Sequence, residues 1–189
     1  MRELSLHVLD VLENALAAGA TLIELEIAES SAQNRLSIRV ADNGCGMDAA
    51  TVARVSDPFF TTRTTRDVGL GLPLFKAAAQ RCNGDLTLRS QPGVGTEVLA
   101  VFERDHLDRA PLGDMSSTLL GVILSDRLHD LRYQHMVDGR TFGLDTRELR
   151  AVLGDVPLTH PNVRAWLEEY LDQEELMLED PSEPAEQTN

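Results

Sequence analysis

Four segments of this chain are apolar at every second residue, and that period dictates a sheet covered on one side only. TLIELEIA at 21–28 puts Ile23, Leu25 and Ile27 on one face and Glu24 and Glu26 on the other. RLSIRVAD at 35–42 alternates likewise, with Leu36, Ile38 and Val40 turned inward. DLTLRS at 85–90 and TEVLAVFE at 96–103 are two more strands, joined by the glycine turn QPGVG. A strand of period two buries one face and wets the other. Helical stretches separate the pairs. In 4–18, Leu6, Leu9, Leu12 and Leu16 recur at helical spacing and Gly19 sits where a glycine cap belongs. Residues 48–55 form a short helix, and 70–82 a longer one whose Pro73 falls in the first turn, where it is tolerated. DPFFTTRTTRDVG, 57–69, has no clean period and reads as a loop. Strands from both halves must then share one sheet with helices on one face, an α+β chain built as a two-layer α/β sandwich.

The rest is less regular. Residues 114–125 read as a helix, and LRYQHMVDGRTFGLDT as a hairpin turning at Asp138–Gly139. Helices are expected over 146–153 and 161–178, the second amphipathic around Val163, Trp166, Leu167, Tyr170 and Leu171. With a boundary near Asp105–Pro111, the expected organisation is a main domain at 1–105, a small C-terminal α/β module at 106–178 and an acidic disordered tail at 179–189.

Charge narrows the function. The chain has 31 acids against 17 Lys and Arg, and nine of the acids lie between Glu168 and Asn189, leaving 22 against 17 elsewhere. Such a surface repels phosphate backbones and argues against nucleic-acid binding, while leaving room for a small anion in a focused pocket. No apolar run approaches the ~20 residues of a membrane span. The N-terminus has acids inside its apolar pattern and no cleavage site, so no signal peptide is expected. Cys45 and Cys82 make neither a disulfide framework nor a zinc cluster. The expected compartment is the cytoplasm.

VADNGCGMDAA, 40–50, places Asp42 between the end of a strand and Gly44 and Gly46. That pattern fits an ordinary tight turn, and equally a backbone lying flat against a ligand while one carboxylate reads it. On the first helix His7, Asp10 and Asn14 are spaced by three and four and share a face, either solvated or functional. GLGL, 69–72, opens a helix, where free N–H groups suit phosphate and Gly69 and Gly71 allow close approach. The preceding loop holds Thr61, Thr62, Thr64, Thr65, Arg63 and Arg66. Nothing fits a Walker loop or the third glycine of a dinucleotide fingerprint.

The ordered set is more specific than its parts. Asn14, DNGCGM at 42–47, DPFFTTR at 57–63, GLGL at 69–72 and PGVGTEV at 92–98 occur in that order. Over residues 4–103 this resembles the GHKL superfamily of ATP-binding domains: histidine kinases, DNA gyrase, heat-shock chaperones and mismatch-repair MutL. DPFFTTR, GLGL and PGVGTEV look like histidine kinases, and LENALAAGATLIELEI followed by DNGCGM looks more like MutL. The resemblance implies the Bergerat ATP-binding fold, with ATP and Mg2+ as ligands. It implies that Asp42 accepts the exocyclic amine of adenine, that Gly44, Gly46 and Met47 pass close to the base, and that Thr96 assists through water. An ionised carboxylate only accepts and that amine only donates, which selects adenine over guanine. Asn14 matches the Mg2+ ligand, and an amide oxygen suits that hard cation. Phe59 and Phe60 match the aromatic pair at the base of the lid, Thr61, Thr62 and Arg63 its phosphate-facing part, and Gly69, Leu70, Gly71 and Leu72 the phosphate loop. Asp10 sits where gyrase and MutL carry the glutamate that activates water. Glu13 points about 100° away from Asn14 on a helix and is the worse candidate. Cys45 in the loop reads as a small side chain in a tight space, and Lys76, the sole lysine, as a solvated helix residue.

The first helix starts within a few residues of Met1, so the expectation is an orphan module without a phosphoacceptor domain. Three readings stand: a regulatory ATPase docked on a protein partner, an anti-sigma-type serine/threonine kinase with Asp10 as base, or an ATP-sensing switch without catalysis. The stretches HLDRAPLGDM and DTRELRAVLGDVPL look like small bacterial GHKL proteins linked with hydrogenase-type redox systems, which bears on the partner alone.

Overall fold

The computed structural model describes residues 3–55 and 71–179. Its elements follow the periods of the sequence: α1 (Leu4–Ala17), β1 (Leu22–Ser30), β2 (Arg35–Asp42), α2 (Ala49–Val55), α3 (Gly71–Arg81), β3 (Asp85–Gln91), β4 (Gly95–Glu103), α4 (Met115–Ile123), β5 (Asp130–Val137), β6 (Arg140–Asp145), α5 (Thr146–Leu153) and α6 (Pro161–Glu179). The expected tail beyond α6 lies outside the described residues.

Six strands form one sheet in the order β3-β4-β2-β1-β5-β6. All neighbours are antiparallel except β1 and β5, which run parallel from Leu22↔Asp130 to Glu29↔Val137. A parallel pair needs a long crossover, and residues 31–129 supply it. Residues 106–178 therefore add β5 and β6 to the same sheet. The β5–β6 hairpin turns where the sequence places it, with Asp138 and Gly139 both at positive φ (48° and 90°).

Ile23, Leu25, Ile27, Leu36, Ile38, Val40, Val98, Ala100 and Phe102 line one face of the sheet and are buried. α1, α3, α4 and α6 cover that face, and their apolar stripes close a continuous core with Leu12, Phe75, Leu119 and Leu171 at its centre. The other face is wet. There Arg39 bridges Glu26 at 3.0 Å and Glu97 at 2.8 Å. Such half-exposed pairs add little stability, so the sandwich rests on its covered side. The connection between β4 and α4 returns to α1, whose first N–H groups it satisfies: Leu4 N donates to Pro111 O (3.0 Å) and Ser5 N to Leu112 O (2.7 Å).

One buried polar group interrupts the covered face. His135 on β5 is fully buried between its strand partners Ile27 and Phe142. Its Nδ1 lies 2.8 Å from Glu175 Oε2 on α6, and its Nε2 3.6 Å from Glu29 Oε1 on β1. The Tyr133 hydroxyl donates to Glu175 Oε1 (2.6 Å), and Arg104 Nε donates to Glu29 Oε2 (3.0 Å). Burial alone would strip His135 of its proton, but the two carboxylates outweigh it and push the imidazole up to about 9. In return the imidazole holds Glu29 below the ordinary carboxylate range. A histidine whose pKa is raised on folding stabilises the fold fully below its unfolded value and loses that contribution as pH climbs to the folded value. We expect thermal stability to fall between pH about 6.5 and about 9, and His135→Leu to flatten that part of the curve in melts followed by circular dichroism. A wild-type curve no steeper than the variant's would refute the charged imidazole.

Candidate functional site

The register sets up the site. On the covered face Ile23 pairs with Asp42, Asp42 with Thr96, and Thr96 with Ser90. At one end of the sheet an apolar row therefore gives way to a carboxylate and two hydroxyls. Above them lies a cavity of about 450 Å3, walled by Val11, Ala15, Val40, Val55, Leu72 and Val98. Asp42 and Thr96 line it, together with Gly46 and Met47 from the loop after β2 and Asn14 from α1. A mostly apolar cavity with a few polar groups converging on it is the expected form of a small-molecule site.

Burial pushes the Asp42 carboxyl upward, while the backbone N–H groups of Gly44 and Thr96 pull the other way. Gly44 N donates to Asp42 Oδ1 at 2.8 Å. The loop is tied on all sides. Asn43 Oδ1 accepts from Thr21 N and Leu22 N (both 2.9 Å), Cys45 N donates to Ala18 O (2.9 Å), and Gly93 N donates to Cys45 O (2.8 Å). The close approach made by its glycines in this structure is to the protein itself. A methyl on Gly44 would lie 2.9 Å from Ala18 Cβ, one on Gly46 2.0 Å from Gln91 O, and one on Gly95 1.9 Å from Asp42 O.

α1 and α3 pack antiparallel, so each polar residue of α1 meets a definite point of α3. Asp10 abuts Gly71, the first residue of α3: a methyl there would lie 2.9 Å from Asp10 Oδ2. Half-burial, with the charge of Glu13 beside it, raises the Asp10 pKa. His7 does not share a solvated stripe with Asp10 and Asn14. It is 4% exposed and stacks on Phe75, ring centres 5.0 Å apart and planes 6° apart. Burial above all pushes His7 down to about 4, so it stays neutral. The stripe grades from buried His7 through half-buried Asp10 to exposed Asn14 because α3 covers the start of α1 and stops at Gly71.

Of the residues singled out in the sequence, Asn14, Asp42, Gly46, Met47, Leu72 and Thr96 line one cavity, and Asp10 and Gly71 adjoin each other. Phe59, Phe60, Thr61, Thr62, Arg63, Gly69 and Leu70 lie outside the described residues. Cys45 lines the cavity as well. One residue of the site, Ser90, escaped the sequence motifs. Ser90 accepts from Met47 N (2.8 Å) and touches Thr96 Oγ1 (2.9 Å). Gly95, at φ 130°, lets β4 begin against the Asp42 backbone. Ser90 was findable, since a tight turn at 91–95 puts it opposite Thr96.

Among known proteins, residues 2–106 match the family described as histidine kinase-, DNA gyrase B-, and HSP90-like ATPase. The chain is 47% identical over 89 residues to the sensor protein kinase FleS of Pseudomonas aeruginosa, covering 47% of this chain and 22% of that protein. It is 33% identical over 96 residues to a sensor protein of Shewanella frigidimarina, covering 50% of this chain and 15% of that one. The chain thus spans less than a quarter of the length of either relative. In three dimensions it is similar to the crystal structure of the N-terminal domain of a DNA repair protein, with a TM-score of 0.53 and 15% identity over 82% of this chain and 58% of that one. That last likeness is one of fold alone.

The glycine contacts are testable apart from any ligand. Gly46→Ala must move the loop or β3, because its methyl would fall within bonding range of a backbone carbonyl. Gly19→Ala has a similar φ (71°) and nothing within 4 Å, so it carries only the positive-φ cost of about 1–2 kcal/mol. Denaturant titration should show Gly46→Ala the more destabilised by about 1–3 kcal/mol further. Equal losses would mean that the loop is free to shift.

Proposed function

The chain belongs to the histidine kinase-, DNA gyrase B-, and HSP90-like ATPase family, and on that premise we propose that it binds Mg-ATP in the cavity between α1 and the sheet and acts as a regulatory ATPase or kinase module. The observation that supports this best is the convergence of Asp42, Thr96 and Asn14 on one apolar cavity whose edge is the start of α3. The purine fills the apolar part, and its exocyclic amine donates to Asp42. The triphosphate runs toward the first turn of α3, where backbone N–H groups have no partner within the helix.

The donor set suits magnesium. Among the described residues no group of three His, Cys, Asp or Glu side chains could hold a metal ion, so a cation here would take most ligands from phosphate and water, with the Asn14 amide oxygen as the protein's share. When bound, Mg2+ neutralises phosphate charge. Asp10 supplies the base. Its raised pKa makes it a better proton acceptor than a solvated aspartate, and its contact with Gly71, at the start of α3, supports a role near the phosphate end of the site. In hydrolysis Asp10 takes a proton from water, the water oxygen bonds to the γ-phosphorus, and the bond to the bridging oxygen breaks to release ADP. In transfer to a partner, a hydroxyl takes the place of the water.

Residues 106–178 carry the proposed partner contacts, and a cytoplasmic setting fits the lack, among the described residues, of a helix long and apolar enough to cross a membrane.

Calorimetry should register ATP binding in the presence of Mg2+. Asp42→Asn should weaken it at least about tenfold, since the amide replaces a charged acceptor. Asn14→Ala should remove the gain due to Mg2+. Asp10→Asn should leave binding intact and abolish release of labelled phosphate from γ-labelled ATP. No heat at millimolar nucleotide would sink the assignment, and unchanged turnover would remove Asp10 from it. Label on a partner hydroxyl in place of free phosphate would make the module a kinase.

A further inference from the structure

We propose that Ser90 is a specificity-determining positioning residue: it consumes the hydroxyl proton of Thr96 and so makes the polar floor of the cavity accept only. The inference rests on the ATP site proposed above. It comes from proton accounting around one hydroxyl. A serine has one proton to give and two lone pairs to accept with. Three groups surround Ser90 Oγ. Met47 N, at 2.8 Å, can only donate to it. Gly95 O, at 3.0 Å, can only accept from it. Thr96 Oγ1, at 2.9 Å, can do either. Ser90 satisfies all three in one way. Its proton goes to Gly95 O, one lone pair takes the Met47 N–H, and the other takes the Thr96 O–H.

Thr96 then has no proton left for the cavity. It lines the cavity beside Asp42, its strand partner, and presents lone pairs alone. The carboxylate and the fixed hydroxyl together form an edge without donors. A purine whose 6-substituent is an amine supplies the protons such an edge needs, directly to Asp42 and through the second N–H or a bridging water to Thr96. A purine with a 6-carbonyl carries its proton on N1 instead, so it can donate to Asp42 through N1–H alone and sets its carbonyl against the lone pairs of Thr96. Ser90 touches no ligand in this arrangement. It acts through Thr96, and through Met47, whose backbone it fixes at the cavity wall.

The test compares ATP with ITP, in which the 6-amine becomes a carbonyl and N1 gains a proton, by calorimetry on the full chain with Mg2+. Wild type should prefer ATP. Ser90→Ala frees the Thr96 proton to donate into the cavity, and the ATP-to-ITP affinity ratio should fall by about three- to tenfold, the worth of one hydrogen bond. Ser90→Thr keeps a hydroxyl and should keep the ratio. A role confined to holding the loop would weaken both nucleotides alike, and an unchanged ratio in Ser90→Ala overturns the proposal while leaving ATP binding standing. If Ser90→Ala fails to fold, Ser90→Cys replaces it, being similar in size and a weak donor and acceptor, with the same ratio as readout. Absence of ATP binding in wild type would instead strike the site itself.

Discussion

The structure turns on a single register. Because Ile23, Asp42, Thr96 and Ser90 stand opposite one another on the covered face, the end of an apolar row becomes the polar floor of a cavity. A slip of one residue in β2 would turn Asp42 to the open face, among Glu24, Glu26 and Glu97, and take the carboxylate out of the cavity floor. Burying a carboxylate there is costly, and the cost shows as its raised pKa. The N–H groups of Gly44 and Thr96 offset part of it. That offset requires the chain to turn sharply after Asp42 and to lie against both Ala18 and Gln91, and so requires the glycines. The turn chemistry and the ligand chemistry are thus one requirement, and either reading of DNGCGM taken alone would have been incomplete.

α1 carries the second half of the arrangement by serving the core and the site along one helix. Its apolar residues Leu4, Val8, Leu12 and Leu16 lie on the sheet, while α3 covers one flank only as far as Gly71. A residue's distance along α1 therefore sets its solvation. His7 is desolvated enough to stay neutral and packs as an aromatic ring, Asp10 is desolvated enough to gain basicity, and Asn14 remains wet. Three polar residues at helical spacing thus have three different chemistries, fixed by where the neighbouring helix begins.

Much of this was legible in the sequence because periods two and 3.6 are local. The strands 35–42 and 85–90, the hairpin at Asp138–Gly139 and α3 with Pro73 in its first turn all follow from residues within a few positions of one another. Asp42, Asn14 and Thr96 were legible through an ordered set of motifs. What escaped depended on pairings distant in sequence. No local pattern shows that β5 pairs with β1 and not with a partner of its own, or that His135 on β5 lies between Glu29 and Glu175. His135 falls within the expected hairpin, where nothing local marks it as buried or charged. Spacing put His7 on one face with Asp10 and Asn14 but left open whether that face is solvated, because helical spacing gives direction but not what lies there.

The parallel pairing of β1 and β5 bears on how function can be dissected in this chain. β1 lies next to Asp42 at its start, and its last turn of residues carries Glu29 into the buried ion network. Cutting the chain near Asp105 would not free a self-contained nucleotide domain. It would strip β5 from the whole length of β1, leave a bare strand edge and expose apolar residues of α1 and α4-facing core. It would also deprive Glu29 of the imidazole that lowers its pKa, and remove the backbone carbonyls of Pro111 and Leu112 that satisfy the start of α1. Loss of nucleotide binding in such a truncation would report a damaged sheet, not a docking role for the missing part. Only point substitutions on the outer surface of residues 106–178 can separate a partner's contribution from that of the fold, because the core of that segment and the core of the site are the same core.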